Sequence, residues 1–176
     1  MRFETRRALP SDANDIASAH LDSIRSLGAG FYPPHVVEDW TEGLTADLYI
    51  KAMEAGEIFF IAVASVDEVE TVLGFASDYA RDGSRHGASV YVRGIAARRG
   101  IGSALFKLAE TEALSKGATT IHVEASLAGV EFYKANGFVE IARGETHLKS
   151  GRPIGCVFME KTLARGRPED PPLPSS

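Results

Sequence analysis

The sequence has one cysteine, Cys156, and one tryptophan, Trp40, among its 176 residues. A single thiol excludes an internal disulfide framework and leaves no zinc-ligand set at the usual spacing, so no metal is expected. No stretch approaches the roughly 18 apolar residues of a membrane-spanning helix, and the charged start of the chain lacks the apolar run of a signal peptide. These absences favour a soluble cytoplasmic protein with no membrane partner.

A basic excess is also missing from the sequence. The chain carries 19 Lys and Arg against 24 Asp and Glu, a formal net charge of -5. Because a nucleic-acid binder usually shows a basic patch or stripe, no nucleic-acid partner is expected. The length and the 44% apolar content suit one globular domain. We expect that domain over residues 1–164, followed by a proline-rich, disordered tail at 165–176.

The first half of the chain predicts a helix followed by an antiparallel meander. Ser11 is a candidate N-cap for the helix, and Gly28 is a candidate end. His20 shares the apolar face of this helix, where a packing role is favoured over a metal or catalytic role because no second ligand is spaced nearby. The polar run at 79–88 predicts a loop. Strands are expected at 3–7, 57–64, 71–76 and 88–95, and the second and third of them form a hairpin.

Four aromatic residues lie in the long connection after the first helix, where two short helices are expected near 34–42 and 45–55. These residues are Phe31, Tyr32, Trp40 and Tyr49. Two interpretations are open: the rings anchor the connection to the core, or they belong to a lid over a substrate pocket.

The second half of the chain alternates between strands and helices. Helices are expected at 101–116 and 128–135, and strands at 119–123, 138–142 and 154–159, with Cys156 as a core thiol in the last strand. A strand–helix–strand unit within an otherwise antiparallel series implies one parallel pair. The sequence therefore predicts an α/β fold whose mixed, mostly antiparallel sheet has six to seven strands and is flanked by helices.

A basic turn with two glycines joins a strand to the helix at 101–116. It reads Arg98-Arg99-Gly100-Ile101-Gly102 and is followed by Ser103. The first helical turn leaves backbone N–H groups without partners, the helix dipole adds positive charge, and glycine lets a phosphate approach the main chain. The spacing matches neither a nucleoside-triphosphate loop nor a dinucleotide fingerprint. Taken alone, the turn is either an anion site or a tight turn with a solvated arginine pair.

A second motif decides between these two interpretations. Val123-Glu124-Ala125-Ser126 is followed by Phe132-Tyr133-Lys134-Ala135-Asn136-Gly137-Phe138. Together the two segments resemble the GNAT family of N-acetyltransferases. The turn at 98–102 is similar to that family's acetyl-CoA pyrophosphate loop, and 132–138 is similar to its second signature, an aromatic pair followed by Gly-Phe. The resemblance runs in order over most of residues 1–162.

Three positions depart from the family pattern. Ala97 stands where Gln or Arg usually begins the pyrophosphate loop, and Arg98 stands where glycine is common. Ser126 occupies a place where Asn is frequent, so one hydroxyl rather than an amide would contact the pantetheine arm.

The resemblance implies an N-acetyltransferase that uses acetyl-CoA as co-substrate, without a metal. It moves the acetyl group directly to a primary amine of a small molecule or a protein. The strand at 90–95 would be splayed from its parallel neighbour at 119–125, so that backbone groups can pair with the pantetheine chain. The implied co-substrate-binding residues are Tyr91, Val92, Arg98, Arg99, Gly100, Ile101, Gly102, Ser103 and Ser126.

The resemblance also implies roles in catalysis. The Val92 N–H is a candidate to polarise the thioester carbonyl. Tyr133 is the candidate general acid, because a phenol with a pKa near 10 is protonated at neutral pH and can donate to the departing thiolate. Glu124 is the candidate general base. Asp78 is a second candidate, and water alone suffices if the acceptor amine is already neutral.

Two other functions remain open at this level. One is an acyltransferase for a longer acyl-CoA, and the other is a CoA-binding regulatory module that has lost transfer activity. The sequence identifies neither the acceptor nor the oligomeric state, although a homodimer is common in the resembled family.

Overall fold

The structure is a computed structural model that describes residues 2–163. The predicted domain end at 164 and the predicted disorder of 165–176 lie outside the described residues and stay predictions. One sheet has the strand order β1-β2-β3-β4-β5-β7-β6. Its strands are β1 Glu4–Arg7, β2 Ile58–Val66, β3 Val69–Asp82, β4 Arg85–Val92, β5 Thr120–Ser126, β6 Val139–His147 and β7 Pro153–Thr162.

Neighbouring strands of this sheet are antiparallel, except that β4 and β5 are parallel. The predicted mixed α/β sheet with a single parallel pair is therefore confirmed. Helices cover both faces. They are α1 Ala13–Leu27, α2 Pro34–Thr41, α3 Ala46–Glu54, α4 Ile101–Ser115 and α5 Val130–Ala135.

The two faces of the sheet bury separate sets of apolar side chains. On one face α1 and α3 pack against β2 and β3 through Ile16, Tyr49 and Phe75. On the other face α4 buries Ile101 and Leu105, and α5 continues the same layer with Tyr133. Because the sheet is covered on both sides, its central strands are apolar along most of their length.

Helix α1 begins two residues later than Ser11, so the prediction that Ser11 is its N-cap is wrong. A short 3-10 turn covers Pro10–Asp12, and α1 follows at Ala13. The side chain that organises this start is Asp12, whose Oδ2 accepts the Leu9 N–H at 2.7 Å. Both carboxylate oxygens of Asp12 also accept hydrogen bonds from the Arg6 guanidinium at 2.8 Å. The Asp12 carboxylate therefore ties β1 to α1.

We expect Asp12→Asn to lower the free energy of unfolding by about 1–3 kcal/mol at pH 7, because a charge-assisted hydrogen-bond pair is lost. The hydrogen bonds from Arg6 hold the pKa of Asp12 below its usual value, although burial opposes them. A depressed folded-state pKa contributes stability that is present above the ordinary value near 4 and is lost as the pH falls below it. Urea unfolding of the parent and the Asp12→Asn variant measures this. The difference between their free energies of unfolding should be smaller at pH 3 than at pH 7. A constant difference would contradict this account.

The prediction of a loop at 79–88 is wrong. Strand β3 continues to Asp82, and β4 begins at Arg85 after a tight turn whose Gly83 has a φ of +49°. Residues 80–85 are exposed, so their polar side chains carry no alternating pattern even though the backbone is a hairpin. The two loop residues are Gly83-Ser84, and Gly followed by Ser is a local signal for such a hairpin turn.

Candidate active site

The parallel pair separates partway along its length. Strands β4 and β5 are paired from Arg85↔Thr120 to Gly87↔His122. Beyond these positions β4 stays paired with β3 as far as Val92, and β5 stays paired with β7 as far as Ser126. No β4–β5 pairing forms in 88–92 and 123–126, which are all described residues. The strands therefore leave an opening in the sheet, as expected for the splayed pair.

Backbone donors of β4 point into this opening. The Arg93 N–H bonds the Leu73 carbonyl on the β3 side at 2.8 Å. Because successive N–H groups of a strand alternate between its two sides, the Val92 N–H points the other way, toward β5. The Val90 N–H has the same direction as that of Val92. Because the Val90 N–H faces the Tyr133 phenol, the Val92 N–H is the donor available where a carbonyl-bearing chain could lie beside β4.

The N-terminus of α4 lies just beyond this end of β4. Its first helical hydrogen bond runs from the Ala104 N–H to the Gly100 carbonyl at 3.0 Å. The amides of 101–103 precede that bond and have no acceptor within the helix. Arg98 and Gly100 both have positive φ, +61° and +78°, and the side chains of Arg98 and Arg99 are exposed. Orphan N–H groups, a helix dipole and two guanidinium groups suit an anion.

Gly102 is where α4 approaches α5 closely. A Cβ on Gly102 would lie 2.9 Å from Cε2 of Phe132 and 3.5 Å from Cγ2 of Val92. One residue further on, Ser103 Oγ accepts a hydrogen bond from Asn136 Nδ2 at 3.2 Å. In the sequence Asn136 is visible only as part of the second motif, whereas in the structure it joins α5 to the start of α4. The two motifs are therefore in direct contact.

Tyr133 is buried beneath the opening, on the α4–α5 side of the sheet. Its ring packs edge to face against Phe132 and Phe138, each at a centroid distance of 5.1 Å. Burial raises the pKa of the Tyr133 phenol, neighbouring tyrosines raise it further, and a hydrogen bond from the Val90 amide opposes them. The phenol therefore lies at a backbone donor of the opening and stays protonated at neutral pH.

A cavity of about 640 Å³ lies on the opposite face of the sheet. Glu124 and Ser126 of β5 reach it from one side, and Tyr91 of β4 reaches it from the other. The rest of its lining comes from the β3–β4 hairpin, the segment around α2, and the β6–β7 hairpin: Tyr32, Trp40, Tyr79, Ala80, Arg81, Asp82, Ala88, Ser89, Thr146, His147, Leu148, Ile154, Gly155 and Cys156. Its volume is typical of a small-molecule site.

The connection at 29–56 is anchored in the core, and two of its aromatic residues line the cavity; its role as a lid stays a prediction. Helix α3 anchors it in the core through Tyr49, while Tyr32 and Trp40 wall the cavity. The Tyr32 hydroxyl donates to the Gly155 carbonyl at 2.7 Å and accepts the Leu127 N–H at 2.8 Å. This wall is therefore fixed to both β7 and the turn after β5.

Of the two carboxylates considered as bases, the structure brings only Glu124 to the cavity. The Glu124 side chain is exposed. Asp78 is 1% exposed and faces α4, where its two oxygens contact His86 Nδ1 at 2.6 Å and Lys116 Nζ at 3.0 Å. Strand alternation explains the difference, because Asp78 and the cavity-lining Tyr79 are adjacent and point to opposite faces.

His20 and Cys156 both lie close to the cavity lining. The His20 ring stacks behind Tyr91 with centroids 3.7 Å apart, and its Nδ1 lies 2.8 Å from the Tyr49 hydroxyl. Burial lowers the pKa of His20 to about 3, so the ring is neutral and packs as expected. Cys156 is buried in β7, and burial raises the pKa of its thiol. A thiol with a raised pKa is a poor nucleophile.

The family profile described as "Acetyltransferase (GNAT) domain" matches residues 28–163. The chain belongs to the GNAT acetyltransferase family. The match begins near the end of α1 and includes both motifs and the splayed pair. Membership places the protein among the acyltransferases. A search of curated proteins found no match.

Solved GNAT structures share the fold over nearly the whole chain. A GCN5-related N-acetyltransferase from Rhodopseudomonas palustris is 26% identical with a TM-score of 0.77, over 93% of this chain and 97% of that one. The PaiA N-acetyltransferase from Thermoplasma acidophilum, solved with coenzyme A, is 21% identical with a TM-score of 0.72, over 93% and 100%. The yncA acetyltransferase from Salmonella typhimurium, solved with acetyl-CoA, is 21% identical with a TM-score of 0.69, over 97% and 99%.

In residues 2–163 no group of three or more His, Cys, Asp or Glu side chains is arranged to hold a metal ion. Within the same residues, no helix has the length and apolar content needed to cross a bilayer.

Proposed function

We propose that this protein transfers an acetyl group from acetyl-CoA directly to a primary amine. The observation that carries the proposal is the opening between β4 and β5, with Tyr133 on one face of the sheet and Glu124 on the other. Donor and acceptor can then meet from opposite faces without a covalent acyl-enzyme. The fold is shared with proteins solved with coenzyme A and acetyl-CoA, which supports the choice of donor.

The residues around the start of α4 suit the diphosphate of coenzyme A. The amides of Ile101, Gly102 and Ser103 would donate to it, and the Arg98 and Arg99 side chains would balance its charge. Along the opening, the Val92 backbone would pair with the amide-bearing pantetheine arm next to Tyr91, and the Ser126 hydroxyl would contact the arm from β5. In this role the arm occupies the edge of β4 that β5 leaves free.

In this mechanism, one group of the protein acts in each chemical step. Glu124 takes a proton from the acceptor ammonium, directly or through water, so that the amine can attack the thioester carbonyl carbon. The Val92 N–H stabilises the oxyanion that forms. As the C–S bond breaks, Tyr133 gives its proton to the leaving thiolate, and the proton lost from the new amide nitrogen restores the phenol through solvent.

A donor and acceptor survey tests this proposal. Thiol release should be observed with acetyl-CoA and at least one primary amine, with mass spectrometry showing one acetyl group on the amine. Faster release with propionyl- or longer acyl-CoA would favour the longer-chain acyltransferase. Calorimetric binding of acetyl-CoA without release on any amine would favour the regulatory module.

We expect Gly102→Ala to raise the KM for acetyl-CoA by about tenfold, a loss of roughly 1.4 kcal/mol of binding free energy. The new methyl group would lie 2.9 Å from the Phe132 ring, so the ring or the start of α4 with its donor amides must shift. Steady-state kinetics measure the change. Gly30→Ala is the matched control, because nothing lies within 4 Å of a Cβ at Gly30. Equal KM values for the two variants would contradict the role of the α4 amides.

A further inference from the structure

Four Tyr and Trp side chains line the cavity that faces Glu124, beside polar residues of the same lining. Tyr32 and Trp40 pack edge to face with centroids 5.6 Å apart, and Tyr79 and Tyr91 lie on the β3–β4 side. Leu148 and Ile154 belong to the same lining. The ring faces can contact an apolar or aromatic body, and they also attract a cation.

Tyr79 has a position that only a glycine opposite it permits. Tyr79 and Gly87 are cross-strand partners on β3 and β4. A Cβ on Gly87 would lie 2.2 Å from Cζ and 2.5 Å from the hydroxyl oxygen of Tyr79. The ring therefore lies across β4, and Gly87 is also the last β4 residue paired with β5. This places the Tyr79 ring at the point where the opening begins.

Glu124 is the acidic group that an acceptor would meet beside these rings. It forms no ion pair with any residue in 2–163. The other acidic residue of the lining, Asp82, is adjacent to Arg81 and lies 3.9 Å from Arg85 at the exposed end of the hairpin. The negative charge of Glu124 is thus uncompensated, whereas that of Asp82 is compensated by the neighbouring arginines.

The walls of the cavity are joined above the sheet. Asp39 of α2 accepts hydrogen bonds from Arg152 and Ser150 in the β6–β7 turn. Together with the Tyr32 contacts to Gly155 and Leu127, these bonds hold the α2 wall against the hairpin. A fixed wall over a 640 Å³ cavity suits a compact ligand better than an extended polypeptide.

Resting on the proposed function, we infer that the acceptor is a small monocationic amine with an apolar or aromatic body and no carboxylate beside the amine, such as an arylalkylamine. Its ammonium meets Glu124, its body contacts the Tyr79 ring, and a neighbouring carboxylate would be repelled by Glu124. Tyr79 is accordingly a specificity-determining residue.

An acceptor panel tests the substrate class. Thiol release from acetyl-CoA is measured with 2-phenylethylamine, phenylalanine, spermidine and a short peptide with a free N-terminus. We expect kcat/KM for 2-phenylethylamine to exceed each of the others by at least about tenfold. A higher value for phenylalanine, spermidine or the peptide would overturn the inference while leaving acetyl transfer intact. No release with any amine would overturn the proposed function, and this inference with it.

Variants of Tyr79 test the residue itself. Tyr79→Ala should raise the KM for 2-phenylethylamine by about tenfold, whereas Tyr79→Phe, which keeps the ring, should stay within about threefold of the parent. The KM for acetyl-CoA serves as the internal reference and should not change in either variant. An unchanged amine KM in Tyr79→Ala, or a parallel rise in the KM for acetyl-CoA, would remove Tyr79 from acceptor recognition.

Discussion

Tyr133→Phe is expected to lower kcat by about 10- to 100-fold while the dissociation constant for acetyl-CoA changes little, as general-acid catalysis of this size implies. The substitution removes the proton donor and keeps the ring that packs between Phe132 and Phe138. Because the pKa of Tyr133 is raised, the phenol stays protonated above pH 10, so its ionisation should cause no loss of kcat between pH 8 and pH 10. Steady-state kinetics with a verified acceptor, and calorimetry with acetyl-CoA, measure the two quantities.

Tyr49→Phe is the matched control for this prediction. Tyr49 is also buried, and burial likewise raises its pKa, but it lies in the α1–α3 layer and its hydroxyl contacts His20. Both variants lose one buried hydroxyl, so both can lose comparable stability, and thermal unfolding should show this. If kcat falls equally in the two variants, the effect of Tyr133→Phe is structural, and Tyr133 is not the acid.

The parts of the fold that could be predicted from sequence are those with local signals. The strand–helix–strand pattern around α4 implied one parallel pair, and the structure confirms it in β4 and β5. The glycines before α4 and the Phe132–Phe138 motif each lie within a few consecutive residues. The glycine turn at the start of a helix and the short motif about 30 residues later therefore point to the family. The match over 28–163 confirms it.

The acceptor side of the site could not be predicted in this way, because distant segments build it. Tyr32 bonds Gly155 across 123 positions of sequence, and no local pattern reports such a contact. The polar end of the hairpin hides the strand pattern around Tyr79, so the sequence predicts a loop there. Asp78 is a candidate base because it lies near a strand end close to the predicted site, yet strand alternation turns its side chain toward Lys116.

Glu124→Gln is expected to lower kcat/KM for the amine by about 100-fold at pH 7, a magnitude typical of losing a general base. An ordinary alkylammonium has a pKa near 10, so at pH 7 almost all of the acceptor must lose a proton before it can attack. As the pH rises toward 9.5, solvent removes that proton and the need for Glu124 declines. The ratio of parent to variant kcat/KM should therefore shrink steadily across this range.

Glu131→Gln provides the matched control for the loss of one carboxylate. Glu131 is exposed on α5, pairs with Lys134 at 3.3 Å and is not among the residues that line the cavity. Its variant should keep the parent kcat/KM at every pH, since a surface ion pair contributes little. A Glu124→Gln defect that stays constant from pH 7 to pH 9.5 would assign Glu124 to binding the ammonium rather than deprotonating it. No defect at all would leave water as the base, because the structure places the other candidate, Asp78, on the opposite face of the sheet.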